Sequence, residues 1–173
     1  SDEEKPKVIG KPTEGVLLLW LKEQGIDYLK FREQTEVIEK LPFTTENKYM
    51  ATVISSKALG KRVLLVKGAP EIILQMCDEF EQCFNQESVK QTLANFQKKA
   101  MRTLAFAYKV LDNQDSVIED RKLKDIKLCF MGLTGIVDPV RADVPTAVGE
   151  CLNAGIDIKM VTGDTSVTAR AIA

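Results

Sequence analysis

The stretch Leu65-Val66-Lys67-Gly68-Ala69-Pro70-Glu71 determines how the rest of the chain can be interpreted. The aliphatic residues before Lys67 are typical of a buried strand, which leaves the lysine at the strand end. Gly68 allows a sharp turn, and Pro70 and Glu71 suit the first turn of a helix. A cation placed between a strand and a helix start can hold a ligand with phosphate groups. The same pattern also fits an ordinary strand, turn and helix with a solvated lysine.

The charge balance of the chain argues against several classes of partner. Its 173 residues include 24 basic and 25 acidic residues, for a formal net charge of −1. This balance gives no electrostatic reason to expect binding to DNA, RNA or an acidic membrane surface. The longest apolar run, 16–21, is shorter than the roughly 20 residues of a membrane-spanning helix. The polar first residues do not form a signal peptide.

The chain contains no histidine, which excludes histidine-based catalytic triads, proton shuttles and metal sites. Its four cysteines are scattered and form no Cys-x-x-Cys pair. Reduced thiols are therefore expected rather than disulfides or a zinc site. Carboxylate, lysine, hydroxyl and thiol groups remain for any chemistry.

Hydrophobic patterning predicts an antiparallel meander around the opening stretch, because short turns separate strands at 36–43, 50–54 and 63–66. Upstream, we expect a helix that begins at Glu14 with Thr13 as its cap and is either buried or packed on a sheet with little exposed. A short amphipathic segment is expected at 27–34. Downstream, the pattern predicts further elements: a helix at 86–101, a strand at 104–108, a polar loop at 112–120, and one strand, or two separated by a bulge, at 128–137.

The pattern changes after residue 137. A helix at 144–153, a buried strand at 156–161, a turn at 162–165 and the beginning of a helix at 167–173 are typical of a parallel α/β sheet. We therefore expect a domain boundary near Val137. Residues 1–12 are interpreted as a tail or linker.

Several short motifs occur in a characteristic order. Lys11-Pro12-Thr13-Glu14-Gly15 comes first, followed by Phe43 ahead of Lys48, and then by Lys67-Gly68-Ala69-Pro70. Asp138-Pro139-Val140-Arg141 and Met160-Val161-Thr162-Gly163-Asp164 complete the series. With these motifs the chain resembles P-type cation-transporting ATPases, most closely the calcium-pump branch and its bacterial relatives.

The resemblance implies an α+β fold for residues 13–137, with an antiparallel sheet flanked by helices. This part would be a nucleotide-binding domain that lacks its first strands. Residues 138–173 would be a hinge and a partial phosphorylation domain of the haloacid-dehalogenase-like α/β type. The family's Asp-Lys-Thr-Gly-Thr segment, which carries the phosphorylated aspartate, and its Gly-Asp-Gly-x-Asn-Asp segment are absent from the chain. The fragment alone is therefore expected to be inactive.

The resemblance also assigns residues to an ATP site. Phe43 would stack on adenine, Glu14 would face the adenine amino group, and Lys67 would lie at the floor of the pocket. From the residues alone, Phe43 could equally be a core residue at a strand end. Glu14 could be a first-turn acid that favours the helix dipole, and Lys67 could be solvated.

Four further residues complete the nucleotide site that the resemblance implies. Gly68 and Ala69 would let the ligand approach the backbone, Lys48 would line the pocket, and Arg102 would reach the phosphates. Lys48 and Arg102 could also be surface charges. Thr45 stands where many calcium pumps carry an arginine, so a bidentate phosphate contact is lost or is replaced by Lys48 and Arg102.

Five residues in the segment 138–173 match motifs of the family's hinge and phosphorylation domain: Asp138, Arg141, Thr162, Gly163 and Asp164. In a whole pump, Thr162 and Gly163 would help to bind the transferred phosphoryl group, and Asp164 would help to position the nucleotide. Without the aspartate segment they could serve only as helix caps and turn residues.

The implied function is that of a soluble cytosolic fragment of an integral membrane pump, in the plasma membrane of a bacterium. It would bind ATP, with Mg²⁺ needed only by the full-length enzyme and no metal site in this chain. Its partners would be the phosphorylation, actuator and membrane domains, and calcium is the ion suggested by the subgroup. One alternative is a non-catalytic protein-interaction module that retains the fold. A haloacid-dehalogenase-type phosphatase is disfavoured because its first aspartate motif is absent.

Overall fold

The computed structural model describes residues 12–56, 60–112, 116–137 and 143–161. Five helices and eight strands lie within these ranges. The helices are α1 (Pro12–Glu23), α2 (Tyr28–Glu33), α3 (Pro70–Met76), α4 (Gln86–Lys98) and α5 (Val144–Asn153). The strands are β1 (Thr35–Leu41), β2 (Tyr49–Ser56), β3 (Lys61–Gly68), β4 (Cys77–Phe80), β5 (Arg102–Leu111), β6 (Ile118–Glu119), β7 (Lys122–Leu123) and β8 (Leu128–Ile136).

Six of the strands form one sheet in the order β1-β2-β3-β5-β8-β4. All its pairs are antiparallel except β4 with β8, which is parallel. The predicted meander of β1, β2 and β3 is confirmed, and β1 ends immediately before Pro42 as expected for a residue that cannot donate to a ladder. β6 and β7 form a separate two-stranded hairpin. The predicted antiparallel sheet with flanking helices is therefore confirmed.

The two faces of the sheet have different surroundings because side chains alternate along each strand. One face carries the core, where Leu64 and Phe130 are fully buried against Ile73 of α3 and Val89 of α4. The opposite face is open and apolar, and it forms a groove of about 690 Å³. The groove is lined by residues of α2 and of five strands, among them Phe31, Val37, Ile54, Leu65 and Met131.

The prediction of a buried helix near the N-terminus is wrong in two respects. α1 begins at Pro12 rather than Glu14, as suits a proline in the first turn, so Thr13 lies inside the helix and does not precede it as a cap. α1 is also not buried, since Trp20 is 55% exposed and Val16 is 44% exposed. An apolar sequence on all sides predicts burial only where a second layer covers the helix. In α1, Leu17, Leu19 and Leu21 are partly buried, and none of its described side chains is fully buried.

The predicted buried strand at 156–161 is also wrong. This segment has no regular secondary structure, and Ile156, Ile158 and Met160 are each about half exposed. An aliphatic run becomes a strand only when another strand pairs with it, and no described strand does. α5 before it is confirmed, with Gly155 just beyond its end at φ +75°. The predicted tail at 1–12 falls outside the described residues except for Pro12, which belongs to α1, and the turn at 162–165 and the helix at 167–173 also lie outside them.

Several local predictions are confirmed with shifted boundaries. Asp27 caps α2 by accepting a hydrogen bond from the Leu29 amide, and α4 covers most of the predicted helix. β8 is one strand with an irregularity near Met131, where the register against β5 shifts. β4 and the β6–β7 hairpin were not predicted.

No helix within the described ranges has the length and apolar content needed to cross a membrane. The four cysteines are free thiols.

Candidate functional site

Lys67, near the end of β3, forms an ion pair with Glu14 in the first turn of α1. Its Nζ atom lies 3.0 Å from the Glu14 Oε1 atom. Because β3 is central in the sheet, Lys67 is held between Met50 of β2 and Phe106 of β5. Its side chain lies on the open face, beside a second apolar groove of about 370 Å³. Two residues that are 53 positions apart in the sequence are therefore adjacent in the fold.

The Lys67–Glu14 pair is partly accessible to solvent. The Lys67 side chain is 29% exposed and the Glu14 side chain 47% exposed. An ion pair in such surroundings contributes about 0–1 kcal/mol to stability. A ligand that offers a hydrogen-bond donor to the carboxylate, or an acceptor to the ammonium group, could therefore replace the pair at little cost.

Arg102, at the start of β5, approaches the same helix end. Its Nη1 atom donates a hydrogen bond of 3.3 Å to the Thr13 Oγ1 atom. Thr13 and Glu14 thus connect the first turn of α1 to β5 and β3. The involvement of Thr13 was not predicted, because its sequence context suggested only a helix cap.

The turn after β3 packs against the backbone that precedes β2. A Cβ atom on Gly68 would lie 2.5 Å from the Lys48 carbonyl oxygen and 2.6 Å from the Tyr49 Cβ atom. The Ala69 amide donates a hydrogen bond of 2.9 Å to that same Lys48 carbonyl. The close approach at Gly68 is therefore made by the chain's own backbone, and it fixes the turn before α3 against the position of Lys48.

Phe43 and Lys48 belong to one loop, residues 42–48, between β1 and β2. The Phe43 side chain is 50% exposed. Within the described residues, the close ring pairs join Phe130 to Phe80 and to Phe84, and neither pair includes Phe43. The loop closes on itself at Thr44, whose carbonyl accepts a hydrogen bond of 2.9 Å from the Lys48 amide.

The structure thus connects five of the seven predicted nucleotide-site residues by direct contact and places a sixth, Arg102, beside them. Glu14 meets Lys67 directly, Arg102 joins Glu14 through the neighbouring Thr13, and the turn at Gly68 and Ala69 meets the backbone of Lys48. Phe43 shares the loop of Lys48 without a described bond to the others. The five candidate residues of the segment 138–173 lie outside the described ranges: Asp138, Arg141, Thr162, Gly163 and Asp164.

Two titratable groups in the sheet have shifted pKa values: Tyr108 in the interior strand β5 and Cys77 in the edge strand β4. The Tyr108 hydroxyl donates a hydrogen bond of 2.6 Å to the Glu81 carboxylate, and this bond raises the pKa of Tyr108. Burial, with smaller contributions from Cys129 and Asp78, raises the pKa of Cys77 from 9.0 to about 11. Among the described residues, no cluster of acidic or cysteine side chains could hold a metal ion.

Comparison with known proteins identifies the family. The family model for the cytoplasmic domain N of P-type ATPases matches residues 1–143. Calcium-transporting ATPase PAT1 of Dictyostelium discoideum is 36% identical over 181 aligned residues, which cover 100% of this chain and 16% of that protein. The calcium-transporting ATPase of Bacillus subtilis is 34% identical over 172 residues, 95% of this chain and 19% of that protein.

A third relative transports other ions by name. The sodium/potassium-transporting ATPase subunit alpha-4 of Homo sapiens is 33% identical over 184 aligned residues, which cover 98% of this chain and 18% of that protein. The chain therefore spans less than a fifth of the length of these relatives. The resemblance indicated by the sequence motifs is confirmed, and the chain belongs to the P-type ATPase family, whose cytoplasmic domain N it contains.

Proposed function

We propose that this chain is the ATP-binding part of a P-type cation pump. The observation that carries the proposal is the contact between Lys67 and Glu14 at 3.0 Å, which joins two candidate ligand-binding groups at the edge of an apolar groove. Purine bases suit such a place, because their faces are apolar and their edges carry hydrogen-bonding groups.

The adenine end of ATP would be held by three side chains. The Glu14 carboxylate can accept a hydrogen bond from the adenine amino group, and the Lys67 ammonium can donate to a ring nitrogen or a phosphate oxygen. The half-exposed Phe43 ring can stack on the base, an interaction of about 1–3 kcal/mol in nucleic-acid binders. Binding would exchange the Lys67–Glu14 pair for contacts with the ligand.

The phosphate end would be held by Lys48 and Arg102, whose charges are carried by exposed residues. Thr45 adds no positive charge, so we expect an affinity between the millimolar and high-micromolar ranges, about −4 to −6 kcal/mol. The γ-phosphate would be presented to an aspartate outside this chain, where positioning and charge stabilisation promote transfer. The fragment alone would not hydrolyse ATP, and Mg²⁺ would be needed only in the full-length enzyme.

The remaining assignments concern the whole pump. Residues 13–137 would form the nucleotide domain, and residues 138–173 a hinge and the beginning of a haloacid-dehalogenase-like phosphorylation domain. Thr162 and Gly163 would help to bind the phosphoryl group there, beside Asp138, Arg141 and Asp164. The phosphorylation, actuator and membrane domains would be the partners, in a bacterial plasma membrane. Calcium is the ion we propose, since two of the three relatives described above are named as calcium-transporting.

The proposal is tested by titrating the chain with ATP and following backbone amide NMR shifts, without and with Mg²⁺. Saturable shifts near Glu14, Phe43, Lys48 and Lys67, little changed by Mg²⁺, are expected. Phe43→Ala and Lys67→Ala should each weaken binding about fivefold or more, the lower end of a stacking contribution.

Two matched controls are available. Phe31 is an exposed phenylalanine in α2, and Lys61 is an exposed lysine at the opposite end of β3. Phe31→Ala and Lys61→Ala should leave ATP affinity within about twofold of the unaltered chain. Binding that is insensitive to both Phe43→Ala and Lys67→Ala would instead favour a protein-interaction module that retains the fold.

A further inference from the structure

The β6–β7 hairpin is fastened to the loop that carries Phe43 and Lys48. The Asn47 side chain donates a hydrogen bond of 2.9 Å to the Arg121 carbonyl. The Leu123 amide donates a bond of 3.1 Å to the Tyr49 hydroxyl. The two contacts lie on either side of Lys48 in the sequence. The hairpin is therefore bonded to both residues that flank Lys48, and these two bonds restrain the Lys48 backbone.

Strained backbone is concentrated at this contact. Four non-glycine residues in the described part of the chain have positive φ angles, and three of them lie here: Lys48 at 58°, Asp120 at 47° and Arg121 at 59°. Asp120 and Arg121 join β6 to β7, a place where two left-handed residues are usually supplied by Asn-Gly. Residues other than glycine keep a left-handed backbone conformation only where their surroundings hold them in it, and such residues are concentrated at functional sites.

The conformation of Lys48 is fixed on the opposite side by the turn after β3. Its carbonyl accepts the Ala69 amide, and Gly68 packs directly against that oxygen. The Asn47 amide adds a bond of 3.0 Å to the Thr44 Oγ1 atom. Lys48 thus lies between the strand end that carries Lys67 and a hairpin that is about 70 residues away in the sequence.

We propose that Asn47 and Tyr49 are positioning residues for ATP, and that they act by anchoring the β6–β7 hairpin so that Lys48 keeps its left-handed backbone and points its side chain to the ligand. The inference rests on the proposed function. A hairpin with no contact to substrate would thereby set the affinity of the site. The contact point is the backbone carbonyl of residue 121 and does not involve the arginine side chain.

The test compares Asn47→Ala and Tyr49→Phe with the unaltered chain by ATP titration in amide NMR. Each change removes one hydrogen bond to the hairpin and leaves Lys48 in place, so ATP affinity should fall about threefold to tenfold. The three-bond coupling between the amide and α protons of Lys48, together with its Cα and Cβ shifts, should move away from left-handed values. Thermal unfolding checks that each variant is folded.

Asn85→Ala is the matched control. Asn85 caps α4 by accepting a hydrogen bond of 2.8 Å from the Ser88 amide, far from the loop in sequence. Its loss should lower the melting temperature without changing ATP affinity or the Lys48 signals. In addition, the double variant Asp120→Asn/Arg121→Gly keeps the carbonyl and supplies the favoured turn residues, so ATP affinity should be retained.

Unchanged ATP affinity in both Asn47→Ala and Tyr49→Phe would overturn the inference while leaving the proposed function intact. An equal loss of affinity in Asn85→Ala would also overturn it, because general destabilisation would then explain the effect. Absence of saturable shifts in the unaltered, folded chain would overturn the proposed function and this inference together.

Discussion

Gly68 is the position in the candidate site that leaves the least space for a larger side chain. A Cβ atom there would meet the backbone of Lys48 and Tyr49 at 2.5–2.7 Å. We expect Gly68→Ala to lower the free energy of unfolding by about 1–3 kcal/mol, because backbone cannot yield as a flexible side chain can. It should also weaken ATP binding, since the Lys48 carbonyl must move. Urea unfolding and ATP titration would measure the two effects.

Gly132 provides the control for this substitution. It lies in β8, and an added Cβ atom would have no neighbour within 4 Å. Gly132→Ala should therefore change the free energy of unfolding by no more than about 1 kcal/mol. Similar stability losses at the two glycines would mean that the close contact at Gly68 does not limit the fold.

In the central strand β3, a buried residue is followed directly by an exposed one. Leu64 is fully buried and Leu65 is 36% exposed, because the two side chains lie on opposite faces of the sheet. We expect Leu64→Ala to cost about 2–5 kcal/mol, and Leu65→Ala to cost less than about 1.5 kcal/mol, since the cavity term applies only to the enclosed side chain. Chemical denaturation of both variants gives the comparison.

Leu64→Ala and Leu65→Ala are controls for each other, because the substitution is the same and both residues lie in β3. If Leu65→Ala were as costly as Leu64→Ala, the open face would have to be covered in solution. A native-state mass measurement would then show whether a second chain provides the cover.

The strands and helices that the sequence predicted well are those with strong local signals. Apolar runs separated by short turns predicted β1, β2 and β3, Pro42 marked the end of β1, and Pro70 placed the start of α3. β4 was missed because Cys77–Phe80 is short and mostly polar, and it becomes a strand only by parallel pairing with β8. The hairpin was missed because Asp120 and Arg121 replace the usual Asn-Gly turn signal.

The candidate site was predictable only through the family motifs. No local pattern relates Glu14 to Lys67, or Thr13 to Arg102, since each pair lies more than 50 residues apart. The same limitation explains the wrong predictions, because burial of α1 and strand formation at 156–161 both depend on partners elsewhere. The bond from Asn47 to Arg121 gave no sequence signal at all.

At the scale of the whole molecule, the core and Lys67 of the candidate site lie on opposite faces of the six-stranded sheet. α3 and α4 cover the core face, and Lys67 lies on the opposite face beside the apolar groove. Changes to the candidate ligand-binding side chains on the open face should therefore affect ATP affinity more than stability. The contact of Gly68 with Lys48 should affect both stability and ATP affinity, because Gly68 belongs to β3 and also to the candidate site.

Cys77 in β4 and Tyr108 in β5 should make the protein less stable at alkaline pH. The pKa of Cys77 is 9.0 in the unfolded chain and about 11 in the folded one, mainly because burial disfavours the thiolate. A pKa that is raised on folding gives stability that is present below pH 9 and is lost as the pH rises towards 11. The hydrogen bond to Glu81 raises the pKa of Tyr108, which acts in the same direction at still higher pH.

We therefore expect the free energy of unfolding to fall between pH 8.5 and about 10.5, and the fall to be smaller in Cys77→Ala. Urea unfolding at several pH values measures both slopes. Cys83→Ala is the control, because Cys83 is exposed and should leave the slope unchanged. The two cysteine variants share every titratable group other than the cysteines themselves, so the difference between them isolates the Cys77 thiol. Equal slopes in both variants would mean that the Cys77 thiol does not cause the alkaline loss of stability.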